Sequence, residues 1–453
     1  MSLKRKMILS LVVGIVLLTI SIAWPKSNYL SGYKPREPQG SVTTSTPVSP
    51  TPASKPHWVA AKGEVAFPPQ GIPILYYHSI ANLPGNELGV PPAQFDAQMQ
   101  YLHTQGYTTI SLDQLYAALT KGAKVPRKPI LLTFDDGYPD NYSVALSILE
   151  RYGYTATFFV VTSYMQPRQG MLTWPELSAM SDYGMTIGSH TVHHLNLSKL
   201  PLAQQSAELS QSKAEIQRHL GFATPYFCYP YGGYDPATLQ MLRKTGYKLA
   251  VTTDSGVVEP GDNVLRLKRI YVNGLKNLAA FKAKLAQLTQ QAQRLQEMYQ
   301  QGYAAFFQHK YADAIGLENA VLAQDSGSAQ AYNVKGIAQC YAGQFSAGMA
   351  NIDKALAINP DYGYARFNKA LAYELYGQYA NALNWYNRDL QIENYVWSYY
   401  GIAAIYGRKA DVANTVKYLK LAINLDPEVK QVARTEADFA PVHNSSLFQA
   451  LLQ

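Results

Sequence analysis

Two adjacent carboxylates, Asp135 and Asp136, close an apolar run in the stretch PILLTFDDGYPDN, residues 129–141. Adjacent like charges repel, and burying them without partners is costly. The pairing makes sense where one acid binds a metal ion and the other, spared coordination, takes a proton. A metal needs more ligands, and GSHTVHH supplies them downstream, with His190 and His194 four residues apart and His193 between them. An Asp and two His form an oxygen and nitrogen set suited to a divalent ion with one position left for water. Such an ion lowers the pKa of its water to about 7, and the free acid can remove that proton. A zinc-protease reading needs Glu after the first His, where this chain has Thr191.

These residues must be held by a scaffold. From about residue 70, short apolar runs alternate with amphipathic ones. ILYYH (74–78), ILLTF (130–134), ATFFVV (156–161), MTIGSH (185–190), YFCYP (226–230) and LAVTT (249–253) read as buried strands. AQFDAQMQYLHTQG (93–106), SVALSILERYG (143–153) and LAQQSAELSQSKAEIQRHLG (202–221) read as helices. Alternation of this kind implies a parallel sheet or barrel with helices outside. Reactive groups then collect at the C-terminal ends of strands. His78, His190 and the two aspartates all stand at such ends.

After about residue 275 the strand signal stops and the chain reads as helical. Gly343-Gln344-Phe345 recurs 34 residues later as Gly377-Gln378-Tyr379, and Gly336 answers to Gly302 and Ala370 at the same period. Ala355 precedes Asn359-Pro360 as Ala422 precedes Asp426-Pro427. Small residues at fixed helix positions with a closing Pro resemble the tetratricopeptide repeat, in about four units between residues 298 and 430. Such a solenoid offers a surface for a protein partner or a glycan.

At the other end, Met7–Trp24 is an uncharged apolar stretch of 18 residues preceded by Lys4-Arg5-Lys6. It is long enough to span a bilayer with its N-terminus in the cytoplasm, and Ser21-Ile22-Ala23 also offers a signal-cleavage site. Either way the rest of the chain is expected outside the cytoplasm. Residues 25–65 are rich in Pro, Ser and Thr and read as a solvated spacer. The expected organisation is an anchor or signal peptide (1–24), this spacer (25–65), a catalytic domain (66–280) and a helical repeat domain (281–453). The net charge of +8 is spread over 453 residues, with no basic run suited to nucleic acid. The two cysteines, Cys228 and Cys340, fall in different domains, so no disulfide is expected.

Thr133-Phe134-Asp135-Asp136-Gly137 and His190-Thr191-Val192-His193-His194 resemble the first two motifs of the polysaccharide deacetylases, the NodB-homology fold of carbohydrate esterase family 4. The resemblance covers roughly residues 70–275 and implies a distorted (β/α) barrel, followed here by the all-α TPR solenoid. It implies Asp135 as catalytic base and Asp136, His190 and His194 as ligands of a divalent ion, usually zinc. Tyr229-Pro230-Tyr231-Gly232 resembles the third motif, in which the backbone N–H of Tyr231 would help hold the oxyanion, with Pro230 and Gly232 shaping the groove wall. Many members carry Arg two residues before that Pro, to hold the base; this chain has Cys228, and Arg266 or Arg269 is the candidate replacement. The late Leu-x-His that supplies a general acid has no match. In a closed barrel the first and last strands are neighbours, and a subset of the family, including the biofilm poly-N-acetylglucosamine deacetylases, looks permuted accordingly. His78 is therefore the expected general acid. The implied reaction is N-deacetylation of an N-acetylglucosamine polymer by metal-activated water. Peptidoglycan is the alternative substrate, and a non-catalytic glycan-binding scaffold the alternative role.

Overall fold

The computed structural model describes residues 64–165 and 170–453. The expected anchor and nearly all of the expected spacer lie outside them. No helix among the described residues is long and apolar enough to cross a membrane. The chain divides into two compact units between Arg294 and Leu295.

In the first unit, parallel strands β1 (Ile74–Tyr77), β2 (Thr108–Thr109), β3 (Pro129–Asp136), β4 (Thr157–Val160), β5 (Thr186–Ser189), β6 (Tyr226–Cys228), β7 (Leu249–Ser255) and β8 (Leu267–Tyr271) form one sheet. The order runs β1-β8-β7-β6-β5-β4-β3, and β1 also pairs with β3, which closes a seven-stranded barrel; β2 only flanks β3. Strands buried on both faces need continuous apolar runs, and ILYY, TFFV and YFC supply them, all four, four and three residues being buried. On one side of the barrel wall Tyr77, Phe134 and Phe158 stack in a row, with ring centroids 5.2 and 4.7 Å apart.

The flanking helices include three the apolar pattern did not reveal: Leu112–Lys121, Trp174–Asp182 and Pro236–Lys244. Each begins with a capping box, Ser111 with Gln114, Thr173 with Glu176 and Asp235 with Thr238, a device that stabilises a helix start by about 1 kcal/mol. The helix expected over 143–153 is a π-helical turn, Asn141–Ala145, running into a short α-helix, Leu146–Arg151.

The 30-residue helix Leu278–Phe307 extends past the expected domain boundary. Its Phe281, Leu285 and Ala292 pack into the barrel unit's core, while Leu295, Tyr299 and Phe306 belong to the core of the helical unit. In that second unit, helices 311–324, 345–358 and 379–390 start 34 residues apart, and so do 329–341 and 363–375. The small residues do what their spacing requires. A Cβ on Gly336 would lie 2.7 Å from the Gly348 carbonyl oxygen, so the helix pair 329–341 and 345–358 can approach only without one. At the far end Tyr400 packs on Phe439, and Phe439 on Phe448, so the tail covers the last helix pair.

Candidate active site

The C-terminal end of β3 carries both aspartates, and the chain then turns at once: Asp136 takes φ 75°. Of six non-glycine residues with positive φ among the described residues, Asp136, Thr191, His194 and Tyr231 belong to this one site. Strained backbone concentrated this way is characteristic of positions held for function.

Asp136, His190 and His194 come together. The Asp136 Oδ1 lies 3.5 Å from His190 Nε2 and 3.3 Å from His194 Nε2. It is buried with no hydrogen-bond partner among the described residues. Two donors bound to one tetrahedral zinc at about 2.05 Å stand roughly 3.3 Å apart, so these separations fit a shared cation. His190 Nδ1 is 2.8 Å from the Cys228 carbonyl oxygen, which can only accept. The hydrogen therefore sits on Nδ1, and Nε2 is free to ligate. Burial pushes the Asp136 carboxyl up, but the neighbouring His190 holds it below its ordinary value. Burial works against a charged His190 as well, and there Cys228, Asp136 and Asp135 more than reverse it. At His194 burial and the charge of His190 prevail and lower the pKa to about 4.

Asp135 faces different company. Arg269 on β8, fully buried, donates from Nη1 to Oδ1 at 2.9 Å and from Nη2 to Oδ2 at 2.7 Å. Burial raises the Asp135 pKa, and the guanidinium overrides it, keeping the carboxylate ionised well below the usual range. Cys228 Sγ, Asp135 and His190 also cluster, but the carboxylate is already matched by Arg269 and His190 Nδ1 by a carbonyl, so that set does not suit a metal.

His78 follows β1, which lies between β3 and β8. Its ring stands edge-on to Tyr76 and Tyr271, and its buried Nδ1 has no partner among the described residues. Burial lowers its pKa; the charges of Asp135 and Asp136 pull upward without cancelling this. Pro230 is buried, and Tyr231, at φ 58°, turns the backbone so that its exposed ring lies 4.7 Å from His194. Gly232 permits that turn, since a Cβ there would sit 2.0 Å from Thr253 Oγ1.

A model of the polysaccharide deacetylase family matches residues 122–250. The Bacillus subtilis protein YxkH, named for the same family, is 37% identical over 215 residues, 48% of this chain and 76% of that one. This chain belongs to the polysaccharide deacetylase family. It is a hydrolase acting on carbon–nitrogen bonds other than peptide bonds. A Staphylococcus aureus poly-β-1,6-N-acetyl-D-glucosamine N-deacetylase is 25% identical over 197 residues, 41% of this chain and 68% of its own. Among solved structures, the Streptococcus pyogenes deacetylase PplD in complex with acetate is 32% identical, with a TM-score of 0.46, over 48% of this chain and 98% of that one.

In this deacetylase the Arg that many members place before the third motif is replaced from another strand. Arg269 tethers Asp135, and its Nη2 also reaches Cys228 Sγ at 3.2 Å. Arg266 does not serve: its guanidinium lies over the Tyr234 ring, 5.8 Å from the centroid. The reason is register, because Arg266 precedes β8 while Arg269 is inside it. His193 turns to Glu208, which accepts from the His193 ring at 2.7 Å and from the backbone N–H groups of Val192 and His193. Glu208 so fixes the loop bearing His190 and His194. Tyr76, whose ring lies 4.1 Å from the Arg269 guanidinium, and Thr133, which accepts from Arg269 Nη1 at 3.0 Å, complete the tether. Thr133 opens the first motif, whereas neither Glu208 nor Tyr76 stands at a spacing that marks it in sequence as part of a site; Glu208 lies on the separate helix Leu202–Leu220.

Proposed function

We propose that this protein is an extracytoplasmic, metal-dependent N-deacetylase of an N-acetylglucosamine polymer. The observation that carries it is the division of labour between adjacent acids: Asp136 shares its free oxygen with two histidines, while Asp135 is held ionised by Arg269. The donor set Asp136, His190 and His194 suits zinc or a similar divalent ion. Such an ion would supply Lewis acidity toward water and the amide carbonyl.

The remaining chemistry belongs to the chain's own residues. Asp135 takes a proton from the attacking water; its fixed ion pair keeps the carboxylate aimed and unprotonated at neutral pH. The Tyr231 N–H, at the strained turn, is placed to donate to the oxygen on which negative charge develops. His78 gives a proton to the leaving nitrogen, so that the C–N bond breaks to a free amine and acetate.

The substrate class is supported by the Staphylococcus relative, whose name states action on poly-β-1,6-N-acetylglucosamine. The apolar stretch Met7–Trp24 and its preceding cations support a membrane-anchored or exported protein. The helical repeats are proposed to hold a protein partner or the glycan chain.

Acetate release from matched β-1,6 and β-1,4 N-acetylglucosamine oligomers tests this, with zinc-loaded and chelator-treated protein side by side. Release from the β-1,6 series, lost on chelation and restored by metal, is expected. Release only from the β-1,4 series would move the substrate to peptidoglycan or chitin-like chains. Release from neither, with metal bound, would overturn the assignment.

A further inference from the structure

The stretch that ends in the two aspartates continues as Gly137-Tyr138-Pro139-Asp140-Asn141, and the reaction as derived uses none of these five. In the fold, Asp140 and Asn141 reach back to the turn just after β1. Asp140 Oδ1 accepts from the Ile80 N–H at 2.6 Å and from Asn141 Nδ2 at 3.2 Å, and Oδ2 accepts from Ser79 Oγ at 2.7 Å. Asn141 Nδ2 also donates to the His78 carbonyl oxygen at 2.8 Å. Asn141 and Ser79 are both buried. Three consecutive residues, His78, Ser79 and Ile80, are thus each held by one side chain or the other.

We propose that Asp140 and Asn141 are positioning residues for His78. The inference rests on His78 being the general acid. β1 ends at Tyr77; beyond it Ser79 bridges through its backbone to Leu88 and Val90, a bridge that does not include His78 itself. The Asp140–Asn141 clamp adds bonds to the His78 carbonyl and to both residues that follow it. Because it sits on the continuation of β3, it ties His78 to the same piece of chain as the base and the first metal ligand. The π-helical turn that begins at Asn141 turns this polar pair back toward β1 before the helix proper starts. Single-turn insertions of this type often occur where function needs a side chain re-aimed.

A proton donor matters only when the leaving group is poor. An amide nitrogen must be protonated to leave; a 4-nitrophenolate leaves without help. Asp140→Asn and Asn141→Ala, made in the full chain, are therefore compared on two substrates, an N-acetylglucosamine oligomer and 4-nitrophenyl acetate. Amide kcat is expected to fall about tenfold to hundredfold, with KM and zinc binding unchanged and ester hydrolysis within about twofold of the parent. In a His78→Ala background the same substitutions should cost nothing further, because residues acting through one group are not additive. Equal losses on both substrates would mean a general structural role and overturn the proposal. So would full amide activity, or an additional loss in the His78→Ala background. If His78→Ala alone keeps its amide activity, the general-acid reading fails instead. Thermal melting identifies a variant that does not fold, and the second substitution then carries the test.

Discussion

Asp135 and Glu318 are both buried acids, one in each unit, and they end in opposite states. Asp135 meets Arg269 through two hydrogen bonds, and the guanidinium outweighs burial, so the carboxylate stays charged. Glu318, on helix Tyr311–Gln324, has neither carboxylate oxygen partnered among the described residues, and burial pushes its pKa up to about 9. At neutral pH it is an uncharged, polar piece of packing. The comparison teaches that depth alone does not set charge; the partner does. The barrel spends a fully buried arginine on keeping one acid ionised, which makes sense only if that charge is used.

Breaking the charge in place gives the largest expected effect. Asp135→Asn keeps the shape and removes the proposed base, so acetate release should drop by about 10²–10⁴-fold, with zinc binding retained; unchanged turnover would refute the assigned role. Removing the partner comes next. Arg269→Met strands a buried carboxylate and should cost about 3–5 kcal/mol in denaturant unfolding. Adding Asp135→Asn to Arg269→Met should restore much of that stability but no activity, and failure to restore any would mean the arginine packs more than it pairs.

The helical unit predicts a pH dependence of opposite sign to the barrel's. Burial first, and neighbouring acids second in one case, push Glu374, Asp389 and Glu436 up to about 7. Partners moderate the effect: Arg408 and the Tyr386 hydroxyl at Glu374, and the Ser398 hydroxyl at Asp389. Between their ordinary values near 4 and this raised value the folded state holds more protons than the unfolded state. Their contribution is full below about pH 4 and is lost as pH rises through 7. Asp135, shifted down, contributes above its ordinary value and loses that contribution only as pH falls. Thermal melting should therefore show the helical unit less stable at pH 8 than at pH 5.5, by on the order of 2–4 kcal/mol. A flat profile would mean that these acids are ionised at both pH values. Glu318 allows the same test at a single residue. Glu318→Gln should match the parent at pH 4 and exceed it at pH 8 by up to about 4–5 kcal/mol, because the amide has no proton to surrender.

Most of the barrel was legible because its strands are apolar on both faces and its helices amphipathic. β8 was not, since LKRIY places Lys268 and Arg269 where a buried strand should be apolar. The residue that hid the strand is the one the site requires. Helices Leu112–Lys121, Trp174–Asp182 and Pro236–Lys244 escaped apolar periodicity, yet Ser111/Gln114, Thr173/Glu176 and Asp235/Thr238 marked their starts. Asp135, Asp136, His190 and His194 were legible from type and spacing. The choice between Arg266 and Arg269 was not, because it depends on strand register. The tyrosines of the repeats follow packing: Tyr400 is buried against Phe439, and Tyr406 stacks on Tyr418 with centroids 5.9 Å apart.

The order of the barrel strands also has a consequence in time. β8 is the last strand made, yet it inserts between β7 and β1, the second-to-last and the first. Its Arg269 reaches an aspartate 134 residues earlier in the chain. A nascent chain that has emerged only through β7 already contains Asp136, His190 and His194, the proposed metal donors, and His78, the proposed proton donor. It lacks the one cation that keeps the base charged, and its barrel stands open beside β1. On the proposed mechanism, hydrolytic competence would arrive only when this closing strand docks.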